Sequence, residues 1–165
     1  MRRLIWQLCS GTVATMLAAP PATAQGASGA SERIAGCYAV ELGPWSGSFP
    51  SGSPASHQPP PNIRLDTARF TGRFSAGAAY LQLEPPIAIP GRQRMSLGRW
   101  RVAGDSVFLL WSDGFSGVSL SLGLRADSLR GVAYPLYDVI GPVQPTASVL
   151  IRRAACAPSS REAAG

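Results

Sequence analysis

The chain has 165 residues, of which 45% are hydrophobic and 15% charged, enough for the core of one domain and too apolar for a disordered chain. All 15 basic residues are arginine, set against 9 acidic ones, and they are scattered along the chain. A nucleic-acid reader would cluster them beside stacking aromatics, so nucleic acid is not an expected partner.

Residues 1–24 have the form of a signal peptide: Arg2 and Arg3 are followed by an apolar run to Ala19 and by the A-x-A cleavage signal Ala22-Thr23-Ala24. The run is too short, and too soon broken by Pro20-Pro21, to be a transmembrane anchor. Cys9 lies inside it with no small-residue lipobox before it, which argues against a lipid anchor. Cleavage after Ala24 and a periplasmic or secreted protein are expected. The remaining chain carries thirteen basic and nine acidic residues, a balance that permits a weak preference for anionic ligands or surfaces. It also keeps two cysteines, Cys37 and Cys156, most simply a disulfide in an exported protein. Two thiols and one histidine are too few soft ligands for a closed zinc site, and nothing resembles a C-x-x-C redox pair. No metal or cofactor is expected.

In chain order, the small polar residues 25–33 read as a disordered lead-in. Residues 34–42 (IAGCYAVEL) alternate, with Tyr38, Val40 and Leu42 on one face and Cys37, Ala39 and Glu41 on the other, which predicts the first strand. Residues 43–61, rich in Gly, Ser and Pro, read as a long loop carrying Trp45, Phe49 and the single histidine, His57. A short strand over 62–66 places Ile63 and Leu65 inward, 67–77 is ambiguous, and 78–84 alternates again before a proline-punctuated connection over 85–91.

The stretch 98–135 reads as four strands joined by tight turns at Gly104-Asp105, Asp113-Gly114 and Ala126-Asp127. Two-residue loops fix the partners, and partners share a face. The first turn pairs Val102 with Val107 and Trp100 with Leu109. The second pairs Leu109 with Val118, Val107 with Leu120 and Trp111 with Ser116. The third pairs Leu124 with Leu129 and Leu122 with Gly131. The three turns agree on one apolar face holding Trp100, Val102, Val107, Leu109, Trp111, Val118, Leu120, Leu122, Leu124 and Leu129, the pattern of an antiparallel meander with one wet side. Arginines and serines fill the other face, with Phe108 and Leu110 as exceptions. Residues 134–145 form a second long loop containing Tyr134, Tyr137 and Ile140, 146–153 is the last strand, and 157–165 is a disordered tail.

Eight strands, no helix, and cysteines beside the first and last strands predict an all-β domain over 34–156. A Cys37–Cys156 bond brings the chain's ends together, as an eight-stranded antiparallel up-and-down barrel requires; a β-sandwich is the alternative. At Gly36-Cys37-Tyr38 and at Arg152 or Arg153 after Val149-Leu150-Ile151, the chain resembles the lipocalin–calycin group. That group opens on Gly-x-Trp and closes with an arginine packed over the tryptophan; here Tyr38 stands in the tryptophan's place. The resemblance implies a barrel with an apolar interior for a small hydrophobic ligand.

Catalysis is not expected. His57 sits in a proline-rich loop with no carboxylate or nucleophile to place it. Asp66, Asp105, Asp113, Asp127, Glu41 and Glu84 fall at turns or on outward faces, and no glycine-rich phosphate loop is present. Two functional readings remain. In the first, the barrel binds a small apolar ligand in its interior, lined by Tyr38, Trp100, Leu109, Trp111, Leu120 and Leu122. In the second, the interior is filled and loop aromatics (Trp45, Phe115, Tyr134, Tyr137) contact a protein or the cell envelope.

Overall fold

A computed structural model describes residues 24–47, 49, 58–72, 80–88, 95–125, 127–137 and 144–156. Residues 1–23, which include most of the expected signal peptide, and His57, Ile140 and residues 157–165 lie outside the described residues. A helix, α1 (Ala24–Ile34), precedes eight strands: β1 (Gly36–Ser46), β2 (Asn62–Arg69), β3 (Leu81–Ala88), β4 (Met95–Ala103), β5 (Ser106–Ser112), β6 (Ser116–Arg125), β7 (Ser128–Tyr137) and β8 (Thr146–Arg153). Each strand pairs antiparallel with the next, and β8 pairs back onto β1, giving the closed up-and-down barrel and excluding the sandwich.

The seam between β1 and β8 runs from Tyr38 opposite Arg153 to Leu42 opposite Val149 and resumes at Trp45 opposite Ala147. The Cys37–Cys156 disulfide lies at its end, with Cα atoms 5.1 Å apart. The Ala154 amide donates to the Cys37 carbonyl (2.9 Å), and the Arg152 guanidinium pairs with the Glu41 carboxylate on the exposed side of the seam.

The helix is the main departure from the sequence reading, which takes 25–33 as disordered. AQGASGASERI has little helical drive of its own, with two glycines and two serines among eleven residues. Its last turn is held from outside. Ile34 is buried in the barrel mouth, the Tyr38 hydroxyl donates to the Ile34 carbonyl, and the Arg153 guanidinium donates to the Arg33 carbonyl. Carbonyls of a helix's last turn lack partners within the helix, and these two side chains supply them.

The meander has the expected face and two of its three expected registers. Val102 faces Val107 and Trp100 faces Leu109; Leu124 faces Leu129 and Leu122 faces Gly131. The middle hairpin differs. Trp111 pairs with Val118, Leu109 with Leu120 and Val107 with Leu122, because the turn is centred one residue later, on Gly114-Phe115. Gly114 takes a positive φ of 101°, and Asp113 braces the corner as its Oδ1 accepts from the amides of Phe115 (2.9 Å) and Ser116 (2.8 Å). Moving the turn by one residue shifts each partner by two, so every side chain keeps its face.

Three strands run on through segments that the sequence reads as loop or connection. β1 passes Gly43-Pro44 in an irregularity of the β8 pairing, β3 passes Pro85-Pro86 in a shift between Leu83 and Ile87, and β7 reaches Tyr137. Proline fits a strand where the ladder is already interrupted. Trp45, Tyr134 and Tyr137 therefore belong to strands, correcting their placement in long loops.

Inside the wall, Ile63, Leu65, Leu83, Trp100, Val107, Leu109, Trp111, Val118, Leu120, Leu122, Leu129 and Ile151 are buried. Both tryptophans satisfy their indole N–H groups on backbone: Trp100 Nε1 donates to the Asp66 carbonyl (2.8 Å) and Trp111 Nε1 to the Pro85 carbonyl (3.0 Å). Gly98, opposite Trp111, leaves the room this requires; a Cβ there would lie 2.3 Å from the Leu83 carbonyl oxygen and 2.9 Å from Trp111 Nε1. On the outer wall, Phe108 supports Arg101, whose guanidinium lies 4.7 Å from its ring centre, while Arg99 lies over Phe70 and Tyr80. Burial lowers the Arg99 pKa, an effect the Tyr80 phenol partly opposes.

Candidate functional site

At the α1 end of the barrel the packed layers stop short of the rim and leave a cup. Two hairpin ends form its sides: Val102, Gly104, Asp105 and Val107 from β4–β5, and Leu124, Arg125, Asp127, Ser128 and Leu129 from β6–β7. Tyr38 of β1 and Arg153 of β8 come from the seam, and Ala30, Arg33 and Ile34 of α1 complete the lining. The volume is about 490 Å³, within the range of roughly 300–1,000 Å³ usual for small-molecule sites.

The floor is apolar. Ile34, Tyr38, Val107 and Leu129 are buried beneath it, and Val102 is half-buried. Leu124 continues the inward-facing row of Leu120 and Leu122, yet it is 51% exposed because no layer packs above it. Burying a leucine is worth about 1.5–3 kcal/mol, so this side chain is an unused contact surface at the mouth.

The rim is charged. Arg33, Arg125 and Arg153 face Asp105 and Asp127 around the same opening. The ion pairs among the described residues are Arg64–Asp66 and Arg152–Glu41, so none of the three cup arginines has a carboxylate partner. Arg153 is the most constrained of them. Its guanidinium lies over the Tyr38 ring at 5.4 Å and donates to the Arg33 carbonyl. Gly36, at φ +143°, makes this close approach possible, since a Cβ there would come within 3.0 Å of Arg153 Nη1. Burial pushes the Tyr38 phenol above its ordinary pKa, and the Arg153 charge pulls it partly back.

Of the interior residues selected from the sequence, Tyr38 alone lines the cup. Trp100, Leu109, Trp111, Leu120 and Leu122 are buried in the layers below it, where the tryptophans reach past one strand to carbonyls on β2 and β3. The loop aromatics sit away from it. Trp45 is half-buried in β1, edge-on to Phe49 at 5.3 Å, Phe115 is 57% exposed at the β5–β6 tip, and Tyr134 and Tyr137 lie on β7. Trp45, Phe115 and Tyr137 belong to the opposite end of the barrel, where β1, β5 and β7 finish.

Residue patterning misses the site because four separate parts of the chain build it. Val102, Leu124 and Leu129 stand on the apolar face read from the sequence, and Arg153 on the closing motif; their position at strand ends is the signal that links them. Among the described residues no group of acids, histidines and cysteines is arranged to hold a metal ion, and no helix is long and apolar enough to cross a membrane. Comparison with models of known families, with curated proteins and with solved structures finds no match to this chain.

Proposed function

We propose that this protein is an exported, non-catalytic binding barrel that takes a small apolar ligand in the cup at its α1 end. The observation that carries the reading is Leu124, an inward-facing apolar side chain left half-exposed above a floor of Ile34, Tyr38, Val107 and Leu129. A ligand covering it gains the burial that the chain does not supply. The ligand then sits above the tryptophan layers, not among them. Export is supported by Arg2-Arg3, the apolar run, the A-x-A site and a disulfide of the kind that persists in oxidising compartments.

The test is a titration of the protein with decanol, followed by backbone amide NMR. Amides of Ala30, Tyr38, Val107 and Leu129 are expected to shift together. The absence of any shift overturns the reading. The second reading, a filled barrel that contacts a protein or the envelope through its other end, draws on exposed Phe115, Leu97 and Met95. Shifts confined to that end favour it.

A further inference from the structure

We infer that the ligand of the cup is an amphiphilic anion, an apolar chain ending in a carboxylate or similar oxyanion. This rests on the reading of the cup as a ligand site and names the chemistry of what fills it. The apolar half of the argument is the floor and Leu124. The anionic half is the rim.

On the outer wall Arg152 pairs with Glu41 and Arg64 with Asp66, while Arg99 and Arg101 lie over aromatic rings. Arg69 and Arg130 have no ion pair among the described residues, so what distinguishes the cup is three arginines gathered beside an apolar floor. Among the described residues Arg33, Arg125 and Arg153 have no carboxylate within ion-pair distance, although Asp105 and Asp127 belong to the same rim. The lining holds three guanidiniums to two carboxylates, and among the described residues none of the three is in an ion pair.

Arg153 is also held in place before any ligand arrives. The Tyr38 ring supports one face of its guanidinium, and the Arg33 carbonyl takes one of its N–H groups. A guanidinium has five N–H donors in a fixed fork, so donors remain for a planar oxyanion, the partner its geometry matches best. The resulting site has an anion-binding edge beside an apolar floor. A neutral apolar ligand would leave the arginines unused, and a small inorganic anion would leave Leu124 uncovered.

Decanoate and decanol share a chain and differ in charge, so calorimetric titration of the purified protein with each separates the two halves of the argument. Decanoate is expected to bind roughly tenfold more tightly than decanol, the scale of one charge-assisted hydrogen bond, and the preference should shrink as salt is raised. Arg125→Gln and Arg153→Gln should each reduce it towards unity. Arg125 is the safer variant for folding, because its side chain makes no hydrogen bond or ion pair among the described residues. Arg130→Gln, on the outer wall, should leave decanoate affinity unchanged. Equal affinity for the two probes overturns the anion and leaves the apolar cup standing. A decanoate preference that survives both cup substitutions overturns the assignment to these arginines. Binding of neither probe overturns the cup itself.

Discussion

Trp111 and Tyr38 place a polar atom at the end of a buried ring and anchor it to backbone. Replacing Trp111 with Phe removes the indole N–H and leaves the Pro85 carbonyl without its donor. The expected loss is about 1–3 kcal/mol, read as a lower urea midpoint at unchanged slope. Tyr38 adds a pH dependence. Burial raises its pKa in the folded protein above the ordinary value of 10.0, the Arg153 charge only partly opposing this. The folded state therefore keeps the phenol proton at a pH where the unfolded chain has released it. Tyr38's contribution is present in full below about pH 10 and is lost as the pH rises through the folded pKa. Urea unfolding across an alkaline series should show stability falling over that interval. Tyr38→Phe should remove this component while lowering stability at neutral pH by about 1 kcal/mol, through the lost bond to the Ile34 carbonyl.

At the scale of single elements, β4 and the β5–β6 hairpin give the sharpest expectations. Gly98→Ala would push a methyl into the space between the Leu83 carbonyl and the Trp111 indole. A cost of about 1–3 kcal/mol should appear in thermal unfolding, because backbone on one side and a pinned indole on the other give the methyl little room. Asp113→Ala removes the acceptor of two amides at the turn, and about 1 kcal/mol of stability should go with it. The strands were readable where alternation is strict and turns are short, which is why the apolar face of the meander stands residue for residue except at Leu124. They were not readable at Gly43-Pro44 and Pro85-Pro86, because local composition argues for loop while the neighbouring strand carries the pairing across. Helix α1 was hidden for the same reason: its stabilising partners, Tyr38 and Arg153, lie outside it. The middle turn moved because Asp-Gly can stand as the two central residues or begin one place earlier, and alternation alone does not separate the two.

At the scale of the molecule, closure was legible from the cysteine positions, whereas the cup was not, since it exists only once two hairpin ends, the β1–β8 seam and a helix meet. The Cys37–Cys156 bond joins residues 119 apart in sequence. Its removal by Cys→Ser at both positions should cost about 4–5 kcal/mol through the greater freedom of the unfolded chain. The β1–β8 pairing has its own backbone ladder of seven residue pairs beside the bond, so the amide spectrum of the variant is expected to report a barrel still under native conditions.

The same seam sets an order of events in time. Every other pair of neighbouring strands is consecutive along the chain, so each hairpin can form as soon as its second strand is made. The seam cannot, because β1 must wait for β8, and contacts so distant in sequence are slow to close. Until then β1 presents an unpaired edge to its surroundings, the kind of edge onto which other chains add. The danger of aggregation is thus concentrated in the interval between the synthesis of the first strand and the arrival of the last.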